Sequence, residues 1–470
     1  MILQIARKEF REIRREGKFL ATFTILLILL VIAVVKGRNY YVSVQKQHQE
    51  AQQTSRNHWD CQKKKNPHSA AHYGMYVFKP KYPLSLVDQG VDKYTGVSVF
   101  LEAHKRHEST FKAISDQSAL ARFGDLTADF VLLYLVPLFI ILIGFNCFTR
   151  EKENGTWKML LAQGVHPRKL VWGKWLGVLL PLASLLVPVL LLGMLLLATL
   201  KNFGEIDYLA IGTVGTVYFL YYAIVVQLTL SVSLWVKKSH TAFLVLLAGW
   251  IFCCLIVPKF ATTFVEMREP LPSMFEFQKR IAMEKKQGID GHNPYSRETE
   301  KLLRDTLKEH NVKDISELPF NFAGLRMQKG EEVTNKIYDR NYQKLQEQYK
   351  KQEKIYDTFA FLSPFLPVRF LSMAFSGTDM HHHWTFTNAA EQYRRLMVKT
   401  LNEDLQYNSK HGQKYEAGSD LWKKIPPFSP PTTSVHITGK AHFPKFIVLL
   451  VWFCLSLTLM LFLSRRNQTS

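Results

Sequence analysis

Three consecutive histidines, His381, His382 and His383, stand just after Asp379, and imidazoles beside a carboxylate form the donor set of a transition-metal centre. Adjacent residues on a strand point to opposite faces, and on a helix they fan out by about 100°, so three in a row converge on one ion only around an unusual turn. Gly377, Thr378 and Asp379 ahead of them read instead as a hydrogen-bonded turn and helix cap, and no metal is assigned. Glu391 and Arg394 complete this polar motif, with no role attached to it. Enzymatic chemistry has little else to stand on. There is no Gly-x4-Gly-Lys-Ser/Thr phosphate loop, no His-Glu-x-x-His helix and no Gly-x-Ser-x-Gly elbow, so the chain by itself is expected neither to bind nor to hydrolyse ATP.

A second group of residues suggests docking rather than catalysis. The segment 149–174 is a charged insert between two long apolar stretches. Thr156, after Gly155, is a plausible N-cap; Trp157, Leu160 and Leu161 share one helical face at i, i+3, i+4; and Gly164 can close the short helix in the left-handed conformation. Pro167 suits the first turn of the next helix. An apolar stripe on a short helix beside a bilayer must be covered, and the flanking charges favour a protein groove over lipid.

These groups are positioned by membrane spans. At 470 residues and 47% hydrophobic, the chain alternates apolar runs with long charged segments. Six runs reach bilayer-crossing length, at 19–35, 130–148, 171–200, 209–236, 241–257 and 446–463. The third and fourth exceed what a span requires, and Pro181 and Pro188 can kink the third. None carries a central charge, which argues against a proton-coupled carrier. Gln227 in the fourth is expected to make an interhelical hydrogen bond.

Basic residues flank the spans before the first, between the second and third, between the fourth and fifth, and after the sixth at Arg465 and Arg466. By the positive-inside rule these four segments, and both termini, are expected to face the cytoplasm. Residues 1–18 mix Glu9, Glu12 and Glu16 with the bases and lack a following cleavage pattern, so they read as a retained interfacial helix with Ile2, Ala6, Phe10 and Ile13 on its apolar side. The net charge of +21 is spread over flanks and loops without a nucleic-acid-binding signature, so lipid headgroups rather than nucleic acid are the expected contacts. Cys61 alone of the five cysteines lies outside the spans, which leaves no intrachain external disulfide.

Two extracytoplasmic segments remain, 36–129 and 259–445. The first begins as polar helix and turns irregular after residue 53; the second is mostly helical in pattern. Tyr338, Tyr342, Leu345, Tyr349 and Tyr356 form a heptad-like stripe expected to pack on another helix of its own domain. The run 359–375 is too apolar for a free loop and, broken by Pro364 and Pro367, too short to span, so it is placed at the outer membrane surface as an exit gate.

The six-span layout, the leading surface helix, and Arg150-Glu-Lys-Glu-Asn-Gly-Thr156 followed by Leu160, Leu161, Arg168, Gly173 and Lys174 together resemble the type-2 ABC exporter permeases. Large outer segments and the motifs around residues 375–384 and 390–394 narrow the resemblance to a bacterial subgroup carrying a domain of unknown function, related to the permease of the nitrous-oxide-reductase maturation exporter. The resemblance implies that Glu151, Glu153, Gly155, Thr156, Trp157, Leu160, Leu161, Arg168, Gly173 and Lys174 couple the chain to a cytosolic ATPase subunit. Glu151 and Glu153 would orient that joint, and Lys174 would anchor the third span at the headgroups. It further implies ATP and Mg on the partner rather than on this chain, and a pore formed with a second copy or a sister permease. The outer domain would add an extracytoplasmic partner. The expectation is therefore an all-α polytopic membrane protein, a non-catalytic permease subunit; the alternative is a membrane-anchored binding or signalling protein with a helical sensor.

Overall fold

The computed structural model describes residues 1–115, 125–200, 203–286, 293 and 295–466; the end of the expected tail, 467–470, lies outside them. A short helix, α1 (Ile2–Arg15), precedes α2 (Gly17–Asp60), which continues well past its apolar half into polar sequence. Asn66 caps α3 (Pro67–Tyr73) by accepting from the backbone N–H of His68, with Pro67 in the first turn. Antiparallel strands β1 (Met75–Phe78), β2 (Gly96–Glu102), β3 (Lys105–Arg106) and β4 (Thr110–Lys112) follow, with β2 paired to the other three.

The second span, α4 (Ala128–Glu153), leads to the short α5 (Thr156–Ala162), then to α6 (Pro167–Ala198), α7 (Glu205–Trp235) and α8 (Ser239–Arg268). With α2 and the last helix, these make six helices long and apolar enough to cross a membrane among the described residues, and the chain is an all-α polytopic membrane protein apart from its small sheet. Both α4 and α8 contain a π turn, at Val131–Leu135 and Phe252–Ile256, and each lies just ahead of a proline, Pro137 and Pro258. A proline clashes with the carbonyl four residues back, here Leu133 and Cys254, and a locally widened helix relieves that clash.

The polar domain comprises α3, the sheet, α9 (Met274–Lys285), α10 (Arg297–Glu309), α11 (Phe322–Thr358), α12 (Phe365–Phe375), α13 (Met380–Asn408) and α14 (Ser419–Lys424), before α15 (Val435–Arg466). One apolar core runs through the bundle of long helices; a second joins Val77, Val99 and Leu101 of the sheet to α3, α13, Trp59 and Trp422. The sheet was not legible because its strands are short. Once formed, the register Val77 opposite Val99 and Met75 opposite Leu101 gives it one buried face.

Several sequence expectations take concrete form. Tyr338 and Tyr342 of the stripe are buried against Phe277 and Ile281 of α9, and Tyr349 meets Trp384 edge-on, so these members pack within their own domain, while Tyr356 donates to the Pro258 carbonyl of α8. Gln227 accepts from Ser456 Oγ at 2.5 Å, joining α7 to α15. Most of the run 359–375 is packed: Phe365, Leu366 and Leu371 are fully buried and α12 lies against α7 and α15, while Phe361 and Leu362 stay exposed. Arg369, the one charge there, is half-buried near Asp88 and Asp129.

Candidate functional site

The insert between α4 and α6 builds a joint at the end of the bundle. Gly155 and Gly164 adopt left-handed φ of 74° and 75° on either side of α5, and both face open space, so they set its angle to the helices around it. Gly155, not Thr156, is the N-cap; Thr156 sits one residue inside, its hydroxyl donating to the Glu151 carbonyl at 3.3 Å. Pro167 opens α6 as expected, with His166 capping by accepting from Arg168 N–H.

The apolar face of α5 turns inward. Trp157 is 7% exposed and meets Phe148 edge-to-face at 5.7 Å, while Leu160 and Leu161 lean half-buried on the bundle core. What α5 presents outward is Lys158, Met159 at 61% exposure, and Ala162. The i, i+3, i+4 spacing located the stripe but not its partner. The covering surface is the chain's own bundle, and the face left open to solvent is the opposite one.

The acids and Lys174 also turn inward. Lys174 is 1% exposed and donates to Glu9 at 2.9 Å, Glu151 at 2.8 Å and the Cys147 carbonyl at 2.6 Å. It is therefore a buried clamp between α1, α4 and α6 rather than a headgroup anchor. Burial pushes the Glu9 carboxyl up, but the Lys174 charge outweighs it and holds the group below its ordinary range. Arg150 adds pairs to Glu12 and to Glu16 at 3.0 Å. Close approach of α1 to α6 depends on Gly173 and Gly177: a β-carbon at Gly173 would lie 2.5 Å from Ile5, and one at Gly177 2.6 Å from Glu9.

Glu153 accepts from the backbone N–H and the hydroxyl of Ser239, both at 2.7 Å, and Lys152 donates to the carbonyls of Leu234 and Val236. A carboxylate thus caps the start of α8 and a cation the end of α7, each complementing a helix dipole. Of the expected coupling residues, Glu151, Glu153, Trp157, Gly173 and Lys174 hold the joint together. Gly155, Thr156 and Arg168 are exposed.

An apolar cavity of about 550 Å³ lies between α2, α6 and α7, lined among others by Leu30, Leu182, Leu186, Val214 and Tyr218, with no charged side chain.

In the polar domain the histidine run is a cap, as its order suggested. Asp379 accepts from His382 N–H at 3.0 Å and its ring Nδ1 at 2.5 Å, and it also contacts His442 of α15 at 3.1 Å. His381 is exposed, and His383 lies against Trp384. Gly377, at φ 70°, stacks under Tyr82, and the Thr378 carbonyl accepts from Val91 N–H at 2.9 Å. Glu391 holds Arg394 through two bonds of 2.8 and 3.0 Å, and Arg394 reaches Glu331 at 3.0 Å. Glu331 leads to a site the sequence reading missed. His104 Nδ1 contacts it at 2.8 Å, and the His104 Nε2 atom faces His68 and His72. The spacing His68-x3-His72 was the available signal.

Residues 98–277 match the model described as ABC-2 family transporter protein, and residues 274–430 match the domain of unknown function DUF3526. The first covers α4 to α8 with the joint; the second covers most of the polar domain. No curated protein is significantly similar to the chain.

Proposed function

From the ABC-2 family transporter domain and the DUF3526 domain that this chain carries, we propose that it is the membrane permease subunit of an ATP-driven exporter of the bacterial inner membrane, with both termini cytoplasmic and ATP and Mg bound by a partner ATPase. The observation that carries this reading is the joint. A short helix between two left-handed glycines offers Lys158 and Met159 to solvent, while its inner face and the surrounding charges are bonded to α1, α4, α6, α7 and α8. A push on the exposed face of α5 is therefore delivered to five helices at once, as a rigid-body switch of a pore requires. The pore itself would form with a second copy or a sister permease, and the charge-free cavity beside α6 and α7 suits the apolar part of an amphiphilic cargo. The narrower relation to the nitrous-oxide-reductase maturation permease belongs to this proposal and rests on the sequence motifs alone.

Affinity purification of the full chain from its native membranes tests the reading. An ATPase subunit should accompany it, and Met159→Asp should deplete that subunit at least tenfold while the chain's yield and melting temperature stay the same. Recovery of the chain without any ATPase would favour the membrane-anchored binding protein instead.

A further inference from the structure

We propose that His68, His72 and His104 bind one divalent transition-metal ion of the zinc class in the polar domain. His68 and His72 are four residues apart and so share a face of α3, while His104 sits at the β2–β3 turn with φ 64°. Their Nε2 atoms converge: His68 lies 3.2 Å from His72 and 3.4 Å from His104, and the three donor atoms all fall within 4.8 Å of one another. Zinc–imidazole bonds of about 2.0–2.1 Å in a tetrahedral site put neighbouring nitrogens about 3.3 Å apart. The two resolved spacings match that edge.

The second ring nitrogens explain why a cation suits this point. Glu331 accepts from the His104 backbone N–H at 2.5 Å and contacts His104 Nδ1 at 2.8 Å. Its other carboxylate oxygen accepts from Arg394 at 3.0 Å, so a carboxylate held by a fixed cation faces Nδ1. Asn402 donates its amide to Gln328 at 3.2 Å and turns its oxygen to His68 Nδ1 at 3.4 Å. Both Nδ1 atoms therefore act as donors, which in the neutral rings leaves lone pairs on the two Nε2 atoms that face each other. Two Nε2 atoms aimed at one point in this way can coordinate one cation. A carboxylate and an amide oxygen behind the ring nitrogens are also the outer partners that orient metal-binding imidazoles. The bound ion would tie α3 and the β2–β3 turn, through Glu331 and Arg394, to α11 and α13.

The test uses the full chain in detergent, purified through a tag free of histidine and stripped with a chelator. Titration with Zn²⁺ should show one tight equivalent per chain and a higher melting temperature, and Co²⁺ should give the visible absorption of a tetrahedral site. His72→Gln should weaken Zn²⁺ binding at least about 100-fold, beyond the ~10–100-fold typical of losing an outer partner, and abolish the metal-dependent rise in melting. Because His72 is exposed, the metal-free melting should not change. His104→Gln should repeat the loss, and His381→Gln should leave binding intact. The proposal is overturned by the absence of a tight equivalent, which would leave a shared proton between the rings, or by binding that survives in both the His72 and His104 variants.

Discussion

Lys174→Met keeps the length and apolar stem of the side chain and deletes only its charge. It strands Glu9 and Glu151 as buried carboxylates with the cation between them gone, and it leaves the Cys147 carbonyl without its donor. Breaking a buried ion pair by removing one member costs about 3–5 kcal/mol. At about 1.4 kcal/mol per tenfold, local opening of α1 away from α6 becomes roughly 100 to 4,000 times more populated. Cys147 reports this opening, because its side chain is 1% exposed beneath Glu9. The native chain should protect Cys147 from a membrane-permeant maleimide, and Lys174→Met should label it at least about 100-fold faster, read by mass spectrometry of that peptide. Adding Glu9→Gln removes one stranded charge and should recover about 1–3 kcal/mol as a non-additive coupling. Equal labelling rates and unchanged melting in Lys174→Met would refute the clamp and return Lys174 to the headgroups, where long cations snorkel.

Three further outcomes follow from the same geometry. Trp157→Asp places a carboxylate against Phe148 in the core and should cost at least about 3 kcal/mol, seen as lost yield and melting temperature, in contrast to the well-folded Met159→Asp. Burial, reinforced by Asp129, raises the Asp88 carboxyl to about 7, so the folded chain keeps a proton that the unfolded chain releases near pH ~4. Stability should therefore fall between about pH 4 and 7, by up to roughly 4 kcal/mol, and Asp88→Asn should flatten that slope in thermal melts at pH 5 and pH 8. Cys61 is exposed and should react with an impermeant thiol reagent added outside intact cells, whereas a cysteine at position 154 should not; the reverse pattern would invert the topology.

The six long apolar helices were legible because bilayer-length apolar runs, Pro167 and Gly164 act through local physics: hydrophobic length, fixed φ and left-handed freedom. What failed was the identity of partners. A stripe such as Trp157, Leu160, Leu161 announces that it must be covered, and Lys174 and Glu153 announce charge, but neither spacing nor composition says which neighbour answers. The neighbours, Phe148, Glu9 and Ser239, come from 9 to 165 residues away. Glu9 was read as one acid among bases, whereas Gly173 and Gly177 let it approach α6 and meet Lys174. The His68, His72 and His104 cluster needed both the sheet and the α3 cap to assemble. A two-residue strand such as β3 carries no periodicity that a sequence could show.

In the proposed function α5 meets an ATPase through the face carrying Lys158 and Met159. A photo-crosslinking amino acid placed at position 159, activated in native membranes, should capture one cytosolic ATPase polypeptide. The same probe at position 73, exposed in the polar domain, should not capture it. Capture of that ATPase from position 73 and not from position 159 would contradict the account, as would crosslinks from position 159 to lipid alone.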